Sequence, residues 1–398
     1  MAVRPLVLIL LVSGGCLVEP PACEEVAARL LTCDLQPDAL ACETLTPAQQ
    51  EGLFERLDEK GCEGLWSDDG TRVDARACEA FGWDCPPPPV SRNVPLQPKY
   101  PVVFVGGIDA SEIFDWNPRI PERIEAELRM PAYTVPLPSW SPREIRSAAL
   151  YDALEDLPGG RFNLVCYAVG GLDCRHLVSP GGLFADDPER LGRATRLVAS
   201  VTTIATPHGG TDVANAALSA TSESTDTLLA TLVGPGGLSG YGAEALVRDA
   251  LAGLTNEALV GFNGVVVDNP EVYYQSWAGV SFAGGQPFYP TAVDIEAWCE
   301  DGDVEPPTEV RDAMTQLLWT TAPFSTRTLD RFGGAMQSPS DGMVSIDSAR
   351  WGEFRGCLPA DHYDVIGRLG DSGPDPRTGF DAAAFYVDVA ADLALEGL

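Results

Sequence analysis

FNLVCYAVGGLDCRHL, residues 162–177, changes its period in the middle. The first half, through Val169, is apolar almost throughout, the pattern of a strand buried on both faces. GGLDCRHLVS then reads as a helix, closed by Pro180. A buried strand that passes through small residues straight into a helix is half of a β–α–β unit.

The same alternation runs outward. Upstream, YPVVFVGG (100–107) is a buried strand entering a glycine turn, and IPERIEAELRM (120–130) is an amphipathic helix. AYTVPLP (132–138) is a short strand, and SPREIRSAALYDALEDL (141–157) reads as a capped helix. Downstream, LVASVTTIAT (197–206) and VYYQSWAGVSF (272–282) are further strands, and FDAAAFYVDVAADLALEGL (380–398) is a closing helix. Apolar strands alternating with helices imply an α/β fold with a mostly parallel sheet covered on both faces. Residues 211–260, with TLLATLVGPGGLSGYG at their centre, read equally as a mobile amphipathic cap or as an ordinary helical insertion.

The 398 residues carry 58 acidic and 26 basic side chains, a net charge of -32, and three histidines. Such a surface repels phosphates and excludes nucleic acid as a partner. The apolar runs are too short for a polytopic membrane protein. An apolar content of 45% excludes disorder. Histidine chemistry falls on His176, His208 or His362.

MAVRPLVLILLVSGG (1–15) has signal-peptide architecture, and Cys16 stands where a bacterial lipoprotein carries its lipidated cysteine. Ser13 departs from that motif, so an ordinary signal peptide is the alternative. The expected protein is exported, either held at the bacterial outer membrane or cell surface through Cys16 or secreted. Setting Cys16 aside leaves ten of the eleven cysteines. Cys23, Cys33, Cys42, Cys62, Cys78 and Cys85 crowd into one block and suggest a disulfide framework of open connectivity. They staple a small disulfide-rich helical domain, residues 16–85, in which EEVAARLLTC and PAQQEGLFERLDEKGC have helical spacing. A proline-rich linker (86–99) separates it from the large domain, 100–398. Cys299 and Cys357 are expected to pair; Cys166 and Cys174, carried in different directions by strand and helix, are expected to stay buried thiols.

Two more segments carry chemistry. SDGMVS (340–345) sets Asp341 in a turn where a sheet strand could end. PADHYD (359–364) brings His362, 21 residues later. With a nucleophile at the 162–177 junction, the chain order is nucleophile, acid, base, in which the acid fixes the imidazole tautomer and the base takes the nucleophile's proton. His208, in ATPHGGT, reads as a packing residue, as does His176, for which a surface position is the alternative.

Residues 100–398 resemble secreted bacterial triacylglycerol lipases of the α/β-hydrolase fold. The likeness is densest in YPVVFVGG, NLVCYAVGGLDCRHLVS, VASVTTIATPHGGTDVAN and SDGMVSIDSARWG followed by DHYD. The resemblance implies Asp341 as triad acid, His362 as base, and the Ile108 and Val169 amides as oxyanion donors. It also implies Asp364 as a ligand of structural calcium, with Asp312 and Asp330 as alternatives for a second acidic ligand. A lipid or ester small molecule is the implied partner. Two departures stand out. Ala168 occupies the nucleophile position, in C-Y-A-V-G where the family has Gly-His-Ser-x-Gly, and Gly106 stands in place of the oxyanion histidine. None of Ser179, Ser239 and Ser281 has the flanking glycines of a second elbow, and Cys166 belongs to the strand. The expected protein is therefore a hydrolytically impaired pseudo-lipase that keeps an acyl or ester pocket. The alternatives are an active hydrolase in which His362 and Asp341 activate water or an unrecognised nucleophile, and an interaction protein whose N-terminal domain binds a protein partner.

Overall fold

The computed structural model describes residues 97–109, 114–219, 244–282, 299, 312–329, 335–368, 374–375 and 377–398. Cys16, the six clustered cysteines, the linker up to residue 96, Asp330 and residues 220–243 of the proposed cap lie outside the described residues.

Strands β1 (Val102–Val105), β2 (Ala132–Val135), β3 (Phe162–Tyr167), β4 (Val198–Ile204) and β5 (Tyr273–Gly279) form the main sheet. A two-stranded antiparallel hairpin, β6 (Arg327–Leu329) and β7 (Ala335–Gln337), stands apart from it. Strand β8 (Glu353–Leu358) completes the main sheet, whose order is β2-β1-β3-β4-β5-β8. All five pairings are parallel. The order turns back at β1, so the carboxyl ends of β1 and β3 flank a topological switch point, where open α/β sheets leave a crevice.

Alternation within β1 shows how apolar strands serve two cores. Val102 and Phe104 face helix α1 (Arg119–Leu128) and the C-terminal helix Ala382–Leu395. Val103 and Val105 face α2 (Arg143–Asp156), α3 (Val169–Val178) and α4 (Pro188–Leu197). A third cluster joins α3 to α5 (Asp212–Ser219), α6 (Glu244–Ala252) and α7 (Asn256–Val265), through Leu172, Val213, Leu251 and Leu259. The part of 211–260 that is described is therefore packed helix.

Two local expectations need correction. No side chain caps α2. Its N-cap is Pro142, whose carbonyl accepts from the Ile145 and Arg146 amides, while Ser141 Oγ turns back to the Ser139 carbonyl. Cys166 and Cys174 are not free thiols but a disulfide. The helix after a parallel strand folds back over the sheet, which returns Cys174 to the face that Cys166 already occupies. Cys299 pairs with Cys357, as expected.

Candidate active site

Ala168 sits directly after β3 with φ 47° and ψ -125°. An L-residue adopts this region at a cost of about 1–3 kcal/mol, so the neighbours must enforce it. The Ala168 amide donates to the Ile204 carbonyl and its carbonyl accepts from Gly171. The sharp turn brings α3 against the sheet. A Cβ on Gly170 would lie 2.4 Å from the Gly106 carbonyl oxygen. Gly170→Ala is accordingly expected to destabilise the fold by about 1–3 kcal/mol, the range for overpacking, read from denaturant midpoints. An unchanged midpoint would mean that the helix is free to slide outward.

The acid and base come from separate loops. Asp341 lies in a tight turn, with its amide bonded to the Val344 carbonyl. It does not end a sheet strand; the turn packs beside the end of β5, where a Cβ on Gly279 would meet the Asp341 Cβ at 2.8 Å. His362 follows the end of β8, and its amide donates to the Asp341 carbonyl at 3.0 Å. His362 Nδ1 is 2.7 Å from Asp341 Oδ2. Asp341 Oδ1 accepts from the Met343 and Val344 amides, so the carboxylate is fully engaged as an acceptor. This arrangement puts the proton on Nδ1 and leaves Nε2 as the reactive nitrogen. The Tyr167 hydroxyl, one residue before Ala168, donates to the His362 carbonyl and ties the base loop to the elbow.

Ala168, Val169, Ile108 and His362 line one pocket of about 520 Å³, its open mouth included. Its walls are otherwise apolar, from Phe114 and Trp140 to Leu251, Leu254 and Met343, with Thr211 the remaining polar lining residue. The Ile108 and Val169 amides donate to no protein acceptor among the described residues.

The sequence reading overlooked Arg146. It is buried on α2 and forms an ion pair with Asp173 of α3 at 2.8 Å. Its other nitrogens donate to the carbonyls of Gly107, Pro138 and Ile108 at 2.6, 2.9 and 3.3 Å. The guanidinium thereby fixes the loop after β1 that carries the Ile108 amide. A signal was present: Arg146 and Asp173 are opposite charges among the residues that their two helices bury.

The other histidines are structural. His208 Nδ1 meets Arg175, its Nε2 meets Thr203, and its ring stacks on Trp351. Burial and the adjacent Arg175 hold its pKa well below the usual value. His176 bonds to Ser147, and burial lowers its pKa to about 4. Cys166 is excluded as a nucleophile by its disulfide.

Asp364 does not stand alone. Asp312, Asp361 and Asp364 can place carboxylate oxygens within 4.8 Å of one another. Asp361 accepts from the Thr315, Tyr363 and Asp364 amides, linking the base loop to the segment at Asp312. Asp312 is 2% exposed and its Oδ2 has no hydrogen-bond partner among the described residues. Burial, reinforced by the neighbouring carboxylates, raises Asp312 to about 7 and Asp364 to about 9. Buried carboxylates this close require protons or a cation. The donor set, all hard oxygens with one orphaned, fits calcium. Asp361 was missed although DHYD brackets the histidine with two aspartates.

No family model matches the chain. Triacylglycerol lipase 2 of Saccharomyces cerevisiae is 25% identical over 245 residues, 59% of this chain and 57% of that protein, so the match spans little more than half of the relative's length. The structure of EstA from Clostridium botulinum superposes with a TM-score of 0.50 at 18% identity, covering 76% of this chain and 89% of that one. Lipase 1 from Pelosinus fermentans gives a TM-score of 0.49 at 16% identity, over 75% and 99% of the two chains. By fold, the chain is a lipase-like α/β-hydrolase.

Proposed function

We propose that this protein is a pseudo-lipase: it binds an acyl chain or ester in the pocket at Ala168 and hydrolyses it poorly or not at all. The observation that carries the reading is His362, hydrogen-bonded to the buried Asp341 and lining a pocket whose nucleophile position holds a methyl group. In the ancestral reaction His362 Nε2 would take a serine proton, and the Ile108 and Val169 amides would receive the developing oxyanion. An alanine side chain forms no acyl-enzyme, so the covalent step is lost, while the apolar walls still suit a lipid or ester. The open apolar pocket supports ligand binding over the alternative of a rigid interaction module.

The test combines ester turnover with a serine-reactive fluorophosphonate. The purified protein is expected to show no labelling and no turnover above that of a His362→Ala variant. Turnover that His362→Ala abolishes would instead establish water activation by the retained pair.

Asp312, Asp361 and Asp364 would hold calcium and clamp the base loop to the segment at Asp312. Bound to the folded state alone, calcium at a hundred times its Kd would add about 2.7 kcal/mol. Millimolar calcium should therefore raise the Tm, chelation should lower it, and Asp312→Asn should abolish the response. A Tm indifferent to calcium would remove the ion from the proposal.

An exported protein is part of the same reading, membrane-anchored through Cys16 or secreted. It is supported by the two disulfides of the described residues, which persist in oxidising compartments.

A further inference from the structure

Four described residues other than glycine have a positive φ: Arg129, Trp140, Ala168 and Ala205. Arg129 caps the end of α1, where left-handed backbone is ordinary. Ala168 is the elbow already described. Trp140, with φ 52°, is the bulkiest of the four, and a bulky side chain in this region is an outlier. Such a conformation persists only where its surroundings enforce it, and it concentrates at functional sites.

The enforcement is visible in the hydrogen bonds. The Trp140 amide donates to the Ile108 carbonyl at 3.0 Å. Arg146 donates to the same carbonyl at 3.3 Å and to that of Pro138, two residues before the tryptophan, at 2.9 Å. The loop between β2 and α2 is thus tied to the loop after β1, and the backbone of Trp140 is pinned. Its side chain is 2% exposed, lines the pocket, and belongs to the same apolar cluster as Val213, Leu251 and Leu254, which line it too. Trp140 is the largest of the lining residues. Its bond to Ile108 sets it beside the polar end, so an alkyl chain held there shares the pocket with the indole.

A size filter requires bulk that does not move aside. Methionine, with three rotatable bonds, adapts to its surroundings; an indole has only two side-chain torsions, and here its backbone is fixed as well. The pocket, open mouth included, is about 520 Å³, in the lower half of the range of about 300–1,000 Å³ for small-ligand sites. We propose that Trp140 is the specificity-determining residue of this pocket: it stops the alkyl chain of the ligand and restricts the site to esters with short or medium chains. The inference rests on the acyl-pocket reading above and adds its size limit.

Titration calorimetry of the full chain with methyl alkyl ketones, from hexanone to dodecanone, tests it. These imitate an ester carbonyl and are not cleaved. In the wild-type protein each added methylene should tighten binding about fourfold until the chain meets the indole, after which affinity should level off. In Trp140→Ala the levelling should move to chains at least two methylenes longer, which raises the ratio of dodecanone to hexanone affinity about tenfold. A tryptophan with a merely structural role would weaken all ketones alike. An unchanged ratio in the folded variant would therefore refute the inference and leave the pocket reading intact. If no ketone binds the wild-type protein, the pocket reading falls and this inference with it. Should Trp140→Ala not fold, Trp140→Leu keeps an apolar filling and carries the same test, with the ratio raised about fourfold, one methylene's worth. Wild-type affinity that climbs through dodecanone without levelling would refute the size limit whatever the variants do.

Discussion

Ala168→Ser is expected to raise turnover of a short-chain p-nitrophenyl ester by about 10³-fold or more over the wild-type protein. In triad hydrolases, loss of the serine lowers kcat by about 10⁶ and leaves only the contribution of oxyanion and binding terms. Under the proposed reading the gain rests on geometry that would suit a serine. The elbow keeps its strained conformation, with φ 47° at residue 168. Asp341 already orients the imidazole at 2.7 Å. A serine Cβ at this position requires no backbone change, since alanine already carries one. The added Oγ would lie at the pocket surface that His362 also lines. The gain should vanish in an Ala168→Ser, His362→Ala double variant and should coincide with fluorophosphonate labelling. A folded Ala168→Ser protein that is neither labelled nor active would place the defect beyond the nucleophile, in the loop at Gly106 or in the apolar wall.

That experiment also tests how far the chemistry was legible in the sequence. The parallel sheet could be read because doubly covered strands must be apolar throughout, as in VVFV and FNLVCY. The pairing of Asp341 with His362 could be read because chain order and a turn-forming SDG placed Asp341 before His362. What escaped depended on where chain segments meet in space. Cys174 reaches Cys166 only because α3 folds back over β3, a tertiary consequence that the local directions of strand and helix do not disclose. The carboxylate cluster needed Asp312, some fifty residues before Asp361, to be brought beside the base loop. The N-cap of α2 was misread because Pro142 sets the first turn by its own backbone torsion, φ -52°, and Ser141 is not needed as a cap. The short strand β8 was unrecognised because EFRGCL mixes charge with a glycine and lies at the end of the sheet order, where a strand has only one neighbour.

Replacing Arg146 should cost the fold heavily. It and Asp173 are 1% and 0% exposed, and removing one partner of a buried ion pair costs about 3–5 kcal/mol because the other charge is stranded. Arg146→Met should therefore lower the Tm by roughly 10 °C. The effect on chemistry is separable from the effect on stability. Arg146→Met together with Asp173→Leu removes the stranded carboxylate and should recover much of the lost stability, as apolar replacements of buried pairs do. It cannot recover the donors to Gly107, Ile108 and Pro138, whose carbonyls the guanidinium holds. The loop that carries the Ile108 amide would lose its anchor while the fold persists. In the Ala168→Ser background, the double variant should thus be more stable than the Arg146→Met single variant though below its parent, because three buried carbonyls lose their donor, with kcat lower by about 10²-fold, the effect of removing one oxyanion donor. Recovery of both stability and kcat would show that the loop after β1 holds its shape without the arginine, and that Arg146 serves only to neutralise Asp173. Recovery of stability alone makes it a positioning residue for the oxyanion site.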